Sequence, residues 1–175
     1  LNDGAPVNGM AVWANGGNAR VFSGSGLTVN ASVIASGHLS VLAGGVIAQQ
    51  GGADVVALGG DLIINAGGDY TQGAGSLATV ENGGDLFIAS GGAITLESAR
   101  NFVGGRGDVA IQAVGNIVPL NAAFFEVRGD QVSLFSSGGS IGAVGNPLQV
   151  EANALAAGAA GNVFVTAAGF PSLVF

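Results

Sequence analysis

The sequence predicts an all-β fold: a right-handed parallel β-helix, a three-sided solenoid of about seven rungs of ~23 residues each. Three observations carry that reading. Glycine holds 33 of the 175 positions, well above the ~7 % usual in globular chains. Charged residues are 9 % and hydrophobic ones 49 %, which excludes a chain kept disordered by its charge. Most telling, a strand-like phrase introduced by glycine and then Asp, Asn or His returns along nearly the whole length.

The first strand of each rung is that phrase. It reads Asn18-Ala-Arg-Val-Phe22, His38-Leu-Ser-Val-Leu42, Asp61-Leu-Ile-Ile-Asn65 and Asp85-Leu-Phe-Ile-Ala89, then Asp108-Val-Ala-Ile-Gln112, Asp130-Gln-Val-Ser-Leu134 and Asn162-Val-Phe-Val-Thr166. The first residues lie 20, 23, 24, 23, 22 and 32 apart. A second run follows glycine: Gly45–Gln49, Gly68–Gln72, Gly92–Leu96, Gly115–Val118 and Gly139–Gly142. A third precedes the next Gly-Asp, at Val55–Ala57, Ala78–Val80, Phe102–Val103 and Phe124–Val127. Three short runs joined by glycine corners make a triangular rung. Helices have no room, because glycine recurs too often and costs a helix interior about 1 kcal/mol each time.

Period-two alternation assigns the inward residues. Leu39, Leu62, Leu86, Val109 and Val163 form one column, and Val41, Ile64, Ile88, Ile111 and Val165 the next. On the second run Ile47, Tyr70, Ile94, Ile117 and Ile141 align. Each rung then buries its neighbour's face, so stability is a sum of neighbour contacts. Residues 1–17 read as a leading segment or partial rung and 18–175 as rungs, with an insert near 152–160 filling the long interval.

Composition also limits function. Eleven carboxylates oppose four arginines for a net charge of −7, which makes nucleic acid and anionic membrane poor partners. The absence of cysteine removes thiolate catalysis and disulfides. The uncharged run 152–175 is long enough to span a bilayer, but Gly158, Gly161, Asn162, Gly169 and Pro171 argue against insertion. No basic-then-apolar leader opens the sequence, so a mature segment or fragment is expected.

The rungs resemble the shaft repeats of filamentous-haemagglutinin-like exoproteins, adhesins exported by two-partner secretion. The residues behind the resemblance are Gly84-Asp-Leu-Phe-Ile-Ala-Ser-Gly-Gly-Ala-Ile-Thr-Leu96, Gly138-Gly-Ser-Ile-Gly-Ala-Val-Gly-Asn-Pro-Leu148 and Gly161-Asn-Val-Phe-Val-Thr166. Autotransporter passengers look similar at this level. The family's amino-terminal secretion domain carries Asn-Pro-Asn-type motifs, and this sequence has none. The resemblance implies an interior piece of a longer protein at a Gram-negative cell surface or secreted from it. It also implies a role in attachment, with a host or neighbouring-cell surface, or other copies of the chain, as partner.

Candidate sites are few. Arg106-Gly107-Asp108 and Arg128-Gly129-Asp130 match an integrin-type tripeptide, yet they occupy the corner that reads Gly59-Gly60-Asp61 and Gly83-Gly84-Asp85 elsewhere, so the corner alone accounts for their Gly-Asp. Counting back from the corner Asp places Arg106 and Arg128 ~5 Å apart on adjacent rungs. No cofactor is expected. Loosely bound calcium is the nearest case, on the stacked Asp61, Asp85, Asp108 and Asp130. The calcium-roll nonapeptide is absent, since Gly51-Gly52-Ala53-Asp54 lacks its second glycine. His38, the sole histidine, takes a corner slot and has no orienting carboxylate fixed by spacing, so no enzyme is expected. The outward positions Ser40, Ile63, Phe87, Ala110 and Phe164 offer no acid–base pair. Ile63 and Phe87 instead form an apolar strip suited to self-association, as does Phe175 at the carboxy-terminal end. Two readings follow: a rigid shaft, or a module binding receptor, glycan or like chains on its outer face.

Overall fold

A computed structural model describes residues 12–102, 107–121, 126–168 and 172–174. Every named strand pairing is parallel, and among the described residues there is no helix. Three sheets stack as a β-solenoid of about six turns, with eight, eight and five strands.

The first side runs Ala19–Ser23, Leu39–Ala43, Leu62–Ala66, Leu86–Ser90, Val109–Ala113, Gln131–Ser136, Ala154–Ala159 and Ser172–Val174. The second runs Leu27–Val29, Ile47–Gln49, Tyr70–Gln72, Ile94–Leu96 and Ile117–Pro119. Beyond that strand the second side thins to single bridges, Ile117 to Ile141 and Ile141 to Val163, which leaves fewer full turns than the phrase count suggests. The third side runs Val12–Ala14, Val33–Ala35, Asp54–Ala57, Leu77–Glu81, Ala99–Phe102, Val127–Arg128, Leu148–Glu151 and Val165–Ala168. The first of these lies within 1–17, so the solenoid already includes part of that leading segment.

Alternation works as the pattern predicts. Leu39, Leu62, Leu86 and Val109 are in register and buried, and Val132 and Leu155 extend the column. Ile64, Ile88 and Ile111 stack beside them. Each inward aliphatic side chain covers its counterpart one turn away, and burying one contributes about 1.5–3 kcal/mol.

One stretch is corrected. Residues 152–160 are not an insert: Ala154–Ala159 is a first-side strand, paired from Gln131↔Ala154 to Ser136↔Ala159. Asn162–Thr166 is accordingly not a first strand. Val163 bridges to Ile141 on the second side, and Val165 pairs with Leu148 on the third. The reason is compositional. Ala-Leu-Ala-Ala-Gly-Ala has neither a Gly-Asp introduction nor β-branched residues, yet its Leu155 and Ala157 fall inward, and the ladder above recruits them.

The interior also holds a polar knot. Among the described residues Tyr70 is the largest fully buried side chain, seated between Ile47 and Ile94. Its hydroxyl donates to Gln49 Oε1 at 2.7 Å, and burial pushes the phenol above its ordinary range. Gln49 Nε2 donates to the carbonyls of Ala53 and Leu77. One turn on, Gln72 Oε1 accepts from the backbone N–H groups of Glu97 and Ser98, and its Nε2 donates to Ser98 O. The corner between second and third sides breaks the backbone ladder, and these two amides close the gap.

Candidate functional site

Three outer features could meet a partner: the corner carboxylates, the first-side outer face and a polar pocket on the third side. At the corner, Asp61 Oδ1 accepts the Asp85 N–H at 3.0 Å, and Asp85 Oδ1 accepts the Asp108 N–H at 2.9 Å. Asp108 Oδ1 takes the Gln131 N–H, and Asp130 Oδ1 takes Asn153 Nδ2. Asn18 and His38 serve the same purpose earlier, through Asn18 Oδ1 to the His38 N–H and His38 Nδ1 to the Asp61 N–H. Stacked carboxylates are tolerated because each binds a main-chain or amide donor of the next turn. No group of three or more His, Asp or Glu side chains converges on a metal position among the described residues.

The two tripeptides share this corner but not one environment. Gly107 O accepts the Asp130 N–H, which stacks the two Gly-Asp steps. Arg128 belongs to a third-side strand, where its register partner is Arg100 and its guanidinium is ion-paired with Glu151. Arg106 lies outside the described residues.

On the first side the predicted neighbours do meet: Phe87 pairs with Ile63, and Ala110 follows. Ile63 is exposed and Phe87 half-buried. Phe164 is not in this column; Ser133 and Ala156 occupy the positions after Ala110. The parallel outward column holds Phe22, Leu42, Asn65, Ala89, Gln112 and Phe135. Phe22 and Phe135 are exposed, and the Arg20 guanidinium lies 5.5 Å from the Phe22 ring centroid. Phe175 lies outside the described residues.

The third-side pocket escapes the sequence reading. It measures about 320 Å³ and is lined by Asp54, Gly75, Ser76, Leu77, Glu97, Ser98, Arg100, Asn121 and Glu126. Register builds it: Asp54 pairs with Leu77, and Ser98, Glu126 and Gln149 stand one residue before the stacked Ala99, Val127 and Val150. Glu97 Oε1 accepts the Gly75 N–H and its Oε2 accepts Asn121 Nδ2. Glu126 Oε2 accepts the Gln149 N–H at 2.7 Å. Burial raises the Glu126 carboxyl above its ordinary range, opposed by that N–H and by Arg100. Burial also raises Asp54, and burial with the nearby Arg128 charge lowers Arg100. A signal existed in the sequence, because three of its four glutamates, Glu97, Glu126 and Glu151, fall between 97 and 151 together with Arg100 and Arg128. It could not be aligned, since Arg100 and Arg128 are register partners 28 residues apart, outside the 20–24 period.

No family model, curated protein or solved structure matches this chain.

Proposed function

We propose that this chain is a rigid β-helical shaft segment of a large surface adhesin, secreted by or displayed on a Gram-negative bacterium, whose task is reach and not catalysis. The observation that supports this is the unbroken register of the first side, in which eight parallel strands follow one another without slippage. At ~4.8 Å per strand such a stack makes a rod of roughly 35 Å, and further turns would lengthen it without changing its section. The likeness to exported haemagglutinin-type shaft repeats supplies the cellular setting of the proposal.

A second reading makes the first-side outer face a binding surface for a receptor, a glycan or another copy. The exposure of Ile63 and Phe135 favours it. The parent protein carrying Ile63→Ser with Phe87→Ser separates the two. A shaft keeps attachment and fibre formation unchanged, with the circular dichroism spectrum retained. Loss of attachment with the fold intact overturns the shaft reading in favour of binding.

A further inference from the structure

We infer that the third-side pocket is a binding site for an organic cation, which it takes by a primary ammonium group anchored on Glu126. Two buried oxygens of the pocket, Glu126 Oε1 and Ser98 Oγ, have no hydrogen-bond partner. Glu126 is 1 % exposed and its Oε1 has no partner, although Oε2 is satisfied by the Gln149 N–H. Ser98, which precedes the Ala99 whose N–H donates to the Glu126 carbonyl, is 6 % exposed and its hydroxyl oxygen is also without a partner. A buried acceptor left unmade costs about 1–3 kcal/mol, and more when it is charged. Such a group calls for a partner from outside the chain, be it water, an ion or a ligand.

Charge and donor count then select the ligand. Among the described residues, Asp54, Glu97 and Glu126 line the pocket against one cation, Arg100. Next to it, Arg128 and Glu151 are ion-paired with each other and leave that balance unchanged. The pocket therefore has an acidic excess and more acceptors than donors. An ammonium group carries one positive charge and three donors with no acceptor, which complements Glu126 Oε1, Ser98 Oγ and a further wall oxygen. Calcium fits less well. It asks for six to eight oxygen ligands, and no set of three acidic side chains converges here among the described residues. A volume of about 320 Å³ suits a short alkylamine or the end of a lysine side chain.

The test titrates the intact chain with n-butylammonium, n-butanol, 1,4-diaminobutane, Nα-acetyl-lysine methylamide and calcium. The readout is the backbone amide resonances of Ser98, Glu126 and Gln149. The three amines are expected to produce saturable shifts that weaken as salt is raised. Glu126→Gln, folded by circular dichroism, should lose at least about tenfold in affinity, as expected when one charge-assisted hydrogen bond goes. Asp85→Asn, on a different face, should bind like the parent. Tighter binding of the diamine points to a free polyamine, and tighter binding of the lysine amide to a protein side chain; both support the site. Equal shifts with n-butanol, equal binding by Glu126→Gln, stronger binding of calcium, or no saturable shift overturns it.

Discussion

Ile88 is fully buried between Ile64 and Ile111, whereas Ser40 faces outward on the same side. Ile88→Asp is expected to cost several kcal/mol, because it strands an unpaired carboxylate among aliphatic ladders. Ser40→Asp should stay within about 0.5 kcal/mol, as surface changes do. Equal destabilisation in denaturant melts would refute the in–out assignment. Gln72 gives a sharper test. Leucine at this position fills nearly the same volume but leaves the Glu97 and Ser98 N–H groups without their acceptor, while the Ser98 carbonyl keeps only the Ala78 N–H. Gln72→Leu should therefore lose about 3 kcal/mol despite its added hydrophobicity. Glu126 makes stability depend on pH. Burial raises its pKa above the ordinary 4.5, so the folded chain holds this proton to higher pH than the unfolded chain does. The associated stability is present below the unfolded value and is lost as pH rises through the folded one. Glu126→Gln should melt above the parent at neutral pH, and the two should converge near pH ~4. A constant difference across that window would show that Glu126 does not titrate as burial predicts.

Strands and corners differ in how well the sequence announces them. The first-side strands from 19 to 136 were readable, because Gly-Asp or Gly-Asn opens most of them and β-branched or leucine residues alternate inward. Ala154–Ala159 was not, since alanine and glycine carry no strand preference and only the partner Gln131–Ser136 fixes their place. The third-side pocket was hidden for a related reason. A residue's outward neighbours are set by register, and register there depends on corner lengths that vary from turn to turn. The outer pairing of Ile63 with Phe87 was readable, because it lies in the regular part of the stack. Corners also bear their own stability. Gly142 has φ +66°, and a Cβ placed on it would run into the Phe164 carbonyl and the Leu148 nitrogen. Gly145 has φ +78° but open space around that position. Gly145→Ala should cost about 1 kcal/mol and Gly142→Ala about 2–3 kcal/mol, the difference reporting the clash. Matching losses in equilibrium unfolding would assign the whole effect to the backbone angle.

Across the whole molecule, hydrogen bonds between strands run along the long axis, and most join residues 20–24 positions apart. That geometry gives the rod a mechanical character. A pull on its two ends loads the ladder of one turn at a time, since each turn touches only its neighbours. When a turn lets go, some 23 residues become slack and can extend to about 76–83 Å at 3.3–3.6 Å per residue. Force–extension traces should therefore show a sawtooth with steps of roughly that length, whereas a single cooperative rupture would show that the turns do not yield separately. Anchored between two surfaces, such a rod would behave as a tether that lengthens under load and re-coils when tension falls. The stacked corner carboxylates, each holding a donor of the next turn, would act as its catches.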